Sequence, residues 1–354
     1  MKREFIYEAL PTRVIFGDGK MAVLPEEIAR LGASRALVLS TPPQAIWAQQ
    51  VAGILGDTCV GVFSEATMHT PVEVTEKAMQ YLTDVKADCV VALGGGSTIG
   101  LGKAIALRTG LPQIAVPTTY AGSEMTPILG QTENGVKTTL RDAVVLPKTV
   151  IYDVSLTLTL PAALSATSGL NAMAHAVEAL YAQDRNPIIS LMAEEGIAAL
   201  GQSLPAIVAN PQNREARSRA QYGAWLCGIC LGSAGMALHH KLCHVLGGTF
   251  DLPHAETHAI MLPHTAAYNA PEAPEAMHRA ARALKADHVA DGLWLLAERV
   301  KAPRALKDIG MPESGIDKAV ELALKNPYWN PRPLTDKDIR ALIRRAWAGE
   351  PPQA

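Results

Sequence analysis

The sequence predicts two domains of different class: an α/β amino-terminal dinucleotide-binding domain with a parallel sheet (residues 1–160), followed by an all-α carboxyl-terminal catalytic domain (residues 161–354). Three observations predict it. At 354 residues the chain is longer than one hydrophobic core usually serves. Up to about residue 160, short β-branched runs alternate with helical patterns. Beyond Pro161 the strand signals nearly vanish and long Ala- and Leu-rich segments follow.

The predicted strands, in order, are TRVIFG near the amino terminus, RALVLST (35–41), CVGVF (59–63), DCVVALG (88–94), QIAVP (113–117) and TVIYD (149–153). Near-continuous apolar strands are those buried on both faces, as in parallel sheets. Helical stretches such as PVEVTEKAMQYLTDV and STIGLGKAIALRTG supply the crossovers that parallel neighbours need. After Pro161 the prediction is helices only, broken at Pro187, Pro205, Pro211, Pro253, Pro263 and Pro271.

Composition narrows the function classes. Hydrophobic residues make up 48% and charged residues 19%, a globular balance. A formal net charge of −2 leaves no electrostatic footprint for nucleic acid or an acidic membrane. Five unevenly spaced cysteines suit a reducing compartment, and the Cys227/Cys230 pair sits in the apolar run AWLCGICLGSAG, as buried core residues do. The segment MKREFIYEALPT lacks the apolar core of a signal peptide, and no stretch approaches ~20 uninterrupted apolar residues. A cytoplasmic protein is expected.

Two features carry chemistry. The first is DCVVALGGGSTIGLGKAIAL, which reads as strand, then Gly94-Gly95-Gly96-Ser97, then helix. Consecutive glycines let backbone approach a pyrophosphate, and a helix amino terminus offers unpaired N–H groups with a favourable dipole. The next strand ends in PTTYAGSEMT, so Thr118 and Thr119 can reach the same ligand at the carboxyl edge of the sheet. The second feature is a concentration of histidine: six of ten lie between His239 and His264. SGLNAMAHAVEAL places Asn171 and His175 four apart, and LHHKLCHVLGG places His240 and His244 four apart, with His254 following. Residues four apart share a helix face, so these side chains can converge on a metal or on a proton-transfer site.

FGDGK, GGGS, PTTYAGSEMT, the SGLNAMAHAVE helix and LHHKLCHVLGGTFDLPHAETHAIMLPH, in that order, resemble the iron-containing (group III) alcohol dehydrogenases over nearly the whole chain. HHKLCHVLGG, MHTPVEVT and NPRPLT resemble one branch of it. Members of that branch use NADH or NADPH to reduce the carbon–carbon double bond of maleylacetate, giving 3-oxoadipate in aromatic-ring degradation. The resemblance also implies a homodimer.

Relatives that hold metal do so with one Asp and three His. The matching positions are Asn171, His175, His240 and His254, so the carboxylate has become an amide and a metal is not expected. Gly100 also departs from the usual Asp after GGGS. Enoate reduction needs no Lewis acid, because a conjugated carbonyl already activates the carbon and donors can stabilise the enolate. His244 is assigned as the acid, with His175, His240 and His254 as polarising or carboxylate-binding groups and Lys241 beside them for the dicarboxylate. His258 and His264 read as structural. At the end of the second strand Ser40 and Thr41 replace the acidic residue of NAD-specific enzymes, and no Lys or Arg occurs from Ala36 to Met68, so use of both cofactors is expected. The competing expectations are a metal-dependent alcohol or polyol dehydrogenase that tolerates Asn171, a dehydroquinate synthase-type lyase and a non-enzymatic NAD sensor.

Overall fold

Eight strands form in the computed structural model, which describes residues 4–133 and 136–354. They are β1 (Arg13–Gly17), β2 (Ala36–Leu39), β3 (Cys59–Phe63), β4 (Cys89–Gly94), β5 (Gln113–Pro117), β6 (Ile128–Glu133), β7 (Val136–Arg141) and β8 (Thr149–Asp153). Six of them make one parallel sheet in the order β1-β8-β5-β4-β2-β3. These are the six apolar runs predicted from sequence. Alternate residues point to opposite faces. Val38 and Val91 pack with Ile28 of α1 (Leu24–Arg30) and Val51 of α2 (Ala45–Leu55). Leu37, Leu39 and Val90 pack with Leu82 of α3 (Val72–Asp84) and Leu101 and Ile105 of α4 (Gly96–Thr109). Each such aliphatic side chain contributes roughly 1.5–3 kcal/mol on burial. The helices that follow the neighbouring strands β2 and β4 therefore lie on opposite faces. That makes the carboxyl ends of these two strands the switch point where open parallel sheets bind ligands.

The β6–β7 pair is antiparallel, in register from Ile128↔Arg141 to Glu133↔Val136, and was not among the predicted strands. Only Leu129 of β6 is fully buried, against Ala104 and Val145, so the apolar signal is thin. The Asn134-Gly135 dipeptide, a strong hairpin signal, was the available clue in the sequence. The connection from β5 to β6 is ordered by Lys103, whose Nζ donates to the carbonyls of Ser123 (2.6 Å), Thr126 (2.8 Å) and Ile128 (2.8 Å). Burial pulls this ammonium down to about 7, an effect that neighbouring Glu124 partly offsets. At the other end of the sheet Asp153 accepts the amides of Gly19 and Met21, which ties the FGDGK turn to β8.

After the single turn α5 (Val154–Thr157) come α6 (Ala162–Tyr181), α7 (Pro187–Ala209), α8 (Arg214–Ser233), α9 (Leu238–Phe250), α10 (His254–Asn269), α11 (Pro274–Leu284), α12 (Val289–Arg299), α13 (Ile316–Leu324) and α14 (Asp336–Ala348). The described residues divide into two compact units, Ala9–Leu160 and Pro161–Ala354, with residues 4–8 grouped with the second. Pro187 opens α7 and Pro253 caps α10, but Pro205 and Pro263 lie inside those helices and do not break them. That corrects the prediction. A proline removes one amide bond from the ladder, and here the surrounding burial of Leu204, Ile207, Leu262 and Ala266 outweighs the loss. Cys227 and Cys230 are free and fully buried in α8. The core beneath α9 and α10 is built from Leu242, Leu246, Ile260 and Met261 against Val320, Ile339 and Ile343 of α13 and α14. Among the described residues, no helix is long and apolar enough to cross a membrane.

Candidate active site

In the α/β unit, β4 runs into α4 through Gly94 and Gly95. Gly94 has φ +152°, and a Cβ there would come within 2.4 Å of the Thr98 hydroxyl, so only glycine fits. Gly96 has open space where a Cβ would point, and the amides of the first helical turn, Ser97 included, lack intrahelical partners. A turn of this kind can cradle an anion. Thr119 packs against Gly95, and Gln44 bridges the switch point, donating to Thr118 Oγ1 (2.9 Å) and accepting from Thr41 (3.1 Å). Thr41 is partly exposed, whereas Ser40 is fully buried with its hydroxyl donating to Ser64 at 2.8 Å. A Cβ at Gly100 would meet Thr70 Oγ1 at 2.4 Å, so Thr70 takes the space that an Asp at that position would need.

In the helical unit, α6, α9 and α10 gather the histidines. His175 Nδ1 and His240 Nε2 are hydrogen-bonded at 2.8 Å with their rings stacked, and His240 Nδ1 donates to Glu178 Oε2 at 2.6 Å. Glu178, on α6, also accepts the amides of Ala237 (3.0 Å) and His239 (2.8 Å) and the hydroxyl of Tyr181 (3.1 Å). Its carboxylate thus caps α9 from a different helix and fixes the ring of His240 in one stroke. Burial alone would raise its pKa. The electrostatic pull of His240 and its hydrogen bond, the pull of His239 and the Ala237 amide outweigh that and hold it at about 2. In the neutral form of His240 the proton sits on Nδ1 for Glu178, so Nε2 accepts and His175 Nδ1 donates.

A second chain runs beside the first. Thr265 Oγ1 donates to the Met261 carbonyl, so it accepts from His239 Nδ1 (3.0 Å). His239 Nε2 in turn accepts from His258 Nδ1 at 2.9 Å. His258 Nε2 then carries a lone pair, with no hydrogen-bond partner among the described residues. The His258 ring centre lies 4.4 Å from that of His254 and 5.0 Å from that of His240. Burial, reinforced by the neighbouring imidazoles, pushes His258 well below the usual histidine range and His239 to about 3, so both are neutral at pH 7.

Two family models cover this chain: the iron-containing alcohol dehydrogenase model matches residues 11–154, and the model of the Fe-containing alcohol dehydrogenase family, C-terminal, matches 165–347. The chain belongs to the iron-containing alcohol dehydrogenase family. It is 57% identical over 349 residues to a maleylacetate reductase of Rhizobium sp. (strain MTP-10005), covering 99% of each chain. Among solved structures, it is similar to maleylacetate reductase from Agrobacterium tumefaciens, with 57% identity, TM-score 0.96 and coverage of 99% of this chain and 100% of that one. It is also similar to an iron-containing alcohol dehydrogenase from Corynebacterium glutamicum, with 46% identity, TM-score 0.94 and coverage of 99% and 98%.

Within this family member the structure brings Asn171, His175 and His240 into one buried group, with His244 and His254 on its exposed side. The His244 ring packs edge-on to His240 at 6.1 Å. Lys241 is turned over the ring of Tyr328, 5.7 Å from its centre. His264 stands apart, edge-on to Trp294 and pushed down to about 4, chiefly by burial. His258, expected to be structural, joins the cluster. Glu178 was missed, although SGLNAMAHAVE places it three residues after His175 and seven after Asn171, on their shared face.

Proposed function

We propose that this chain is a maleylacetate reductase, which uses NADH or NADPH to reduce the conjugated carbon–carbon double bond of a small dicarboxylate to the saturated 3-oxo acid. Full-length identity of 57% to proteins that carry that name is the observation behind this reading. The chemistry of the site agrees with it. The amides of Gly96 and Ser97 and the hydroxyls of Thr118 and Thr119 hold the cofactor phosphates, with Thr41 towards the ribose. When bound, the reduced nicotinamide supplies the hydride. Charge then develops on an enolate oxygen, which neutral N–H donors stabilise, while Lys241 holds a substrate carboxylate. His244, on the exposed side of the cluster, delivers the proton, while His175, His240 and His254 polarise or hold the carboxylates.

We propose further that the reaction proceeds without a metal. The matching family positions do not suit a divalent cation. Asn171 brings no charge, and its buried Oδ1, which has no hydrogen-bond partner among the described residues, needs only a donor such as water.

Maleylacetate-dependent oxidation of NADH and of NADPH is expected to proceed at undiminished rate in EDTA, with efficiencies within about tenfold of each other. Loss of turnover on chelation, restored by zinc or iron, would instead establish a metal-dependent alcohol dehydrogenase, the reading suggested by the Corynebacterium glutamicum relative. His244→Ala is expected to lower kcat by roughly 10²-fold, the scale of general acid catalysis, while Lys241→Ala acts mainly on KM. Steady-state kinetics of the two variants separate the roles. A normal kcat for His244→Ala removes it as the donor.

A further inference from the structure

We propose that His239, Cys243 and His258 form a distinct, inhibitory site for a thiophilic cation such as zinc, built from none of the four positions that match the family's metal ligands. The proposal does not depend on the substrate assigned above. His239 and Cys243 are four apart on α9 and project from one face, and His258 joins them from α10. Their donor atoms all lie within 4.8 Å of one another, and none of the three side chains is more than 1% exposed.

The spacing suits a tetrahedral ion. With Zn–S about 2.3 Å and Zn–N about 2.05 Å, a sulfur–nitrogen ligand pair stands about 3.6 Å apart and a nitrogen–nitrogen pair about 3.3 Å. Cys243 Sγ lies 3.6 Å from His239 Nε2, and His258 Nδ1 lies 2.9 Å from that same nitrogen. The His239–His258 pair has to open by a few tenths of an ångström, and the Cys243–His258 pair lies within 4.8 Å. His239 is already oriented as a ligand, since Thr265 holds the proton on its Nδ1 and leaves Nε2 with its lone pair. His258 shifts its proton from Nδ1 to Nε2, where no protein group competes for the position.

Binding releases the thiol proton of Cys243 to solvent and changes no oxidation state. The dication and one thiolate leave a net charge of +1 on the site. Burial keeps the Cys243 thiol protonated in the absence of metal, so the cation itself must displace that proton, and affinity rises with pH. Inhibition follows from position. His239 and Cys243 each precede a proposed catalytic residue, His240 and His244, and drawing in His258 moves the ring that packs on His254.

Cobalt(II) is the probe. Titrated into reduced, EDTA-treated and desalted full-length protein, it is expected to bind one equivalent and give tetrahedral visible bands with a sulfur-to-cobalt charge-transfer band in the near ultraviolet. Zinc should displace it and inhibit turnover at one equivalent. Cys243→Ala and Cys243→Ser should lose the charge-transfer band and need at least tenfold more zinc for half inhibition. Cobalt bands without the sulfur band would place the ion on the Asn171 set and overturn the proposal. So would a sulfur band that survives in Cys243→Ala but disappears in Cys59→Ala, or no binding at all. Zinc that binds without slowing turnover would overturn the inhibitory role. The cobalt spectrum requires no substrate, so its failure is distinguishable from failure of the maleylacetate assay.

Discussion

Glu178→Ala is expected to destabilise the fold by roughly 3–5 kcal/mol, the usual cost of removing one partner from a buried charged pair. Four donors converge on this carboxylate, and without it the amides of Ala237 and His239 are left unbonded in the interior. Glu178→Gln is the more telling variant for activity. An amide has the same shape, but its NH2 meets a backbone N–H on either side, that of Ala237 beside His240 or that of His239 beside Tyr181. With the NH2 towards His240, that ring must reverse its tautomer, and its Nε2–H collides with the donor on His175. A fall in kcat on the order of 10²-fold is expected for Glu178→Gln, with a smaller loss of stability than for alanine. Urea melts and steady-state kinetics read the two effects separately. A Gln variant with normal kcat would show that the orientation of His240 is irrelevant to turnover.

Mild acid is expected to unfold the protein early. His239 titrates at about 3 and His264 at about 4 in the native state, and His258 is also held well below its ordinary value of 6.5. In each case burial is the leading cause. The sign follows from proton counting: below about pH 6.5 the unfolded chain binds protons that the native chain refuses, so stability falls as pH falls. Each histidine contributes at most about 1.4 kcal/mol per pH unit, and the three together on the order of 5 kcal/mol between pH 7 and 5. Glu178 does not offset this, since its carboxyl is ionised in both states until pH drops below 4.5. Its own contribution is lost between 4.5 and about 2. Denaturant melts at pH 7 and 5 measure the difference. Replacing His264 by leucine, away from the cluster, should remove about a third of the slope. A flat stability across that range would mean that these rings are charged in the native protein.

How much of this was legible in the sequence depended on what each residue had to bury. The six parallel strands were readable because burial on both faces leaves no polar residue to blur the run, as in Cys89–Gly94. The β6–β7 hairpin was not, because ILGQTE and VKTTLR mix polar and apolar residues over one thin contact. Pro205 and Pro263 misled because local backbone chemistry was weighed without the tertiary burial that overrides it. In the site, spacing alone identified Asn171, His175, His240 and His244 as pairs on shared faces. It could not identify the partners that pairing requires. Glu178 looked like an ordinary helix carboxylate in HAVEALY, and its role rests on the amino terminus of α9, some sixty residues later, arriving above it. His258 was read as structural because nothing in one sequence shows that α10 brings it against His239.

The reach of Lys103 across the six residues from Ser123 to Ile128 has a consequence for how this protein could have diversified. The segment from Ser123 to Ile128 is a single 3-10 turn (Ser123–Met125) leading into β6, and three of its carbonyls converge on a single amine with three hydrogens. A loop held this way is not an interchangeable module. Exchanged into a homologue with a different residue on the preceding helix, it would arrive without its internal template. Its backbone oxygens would have to find water in a place sealed from solvent. Change in the PTTYAGSEMT region and change in α4 are therefore one heritable decision, and chimaeras that cut between them should fail to hold Thr118 and Thr119 in place.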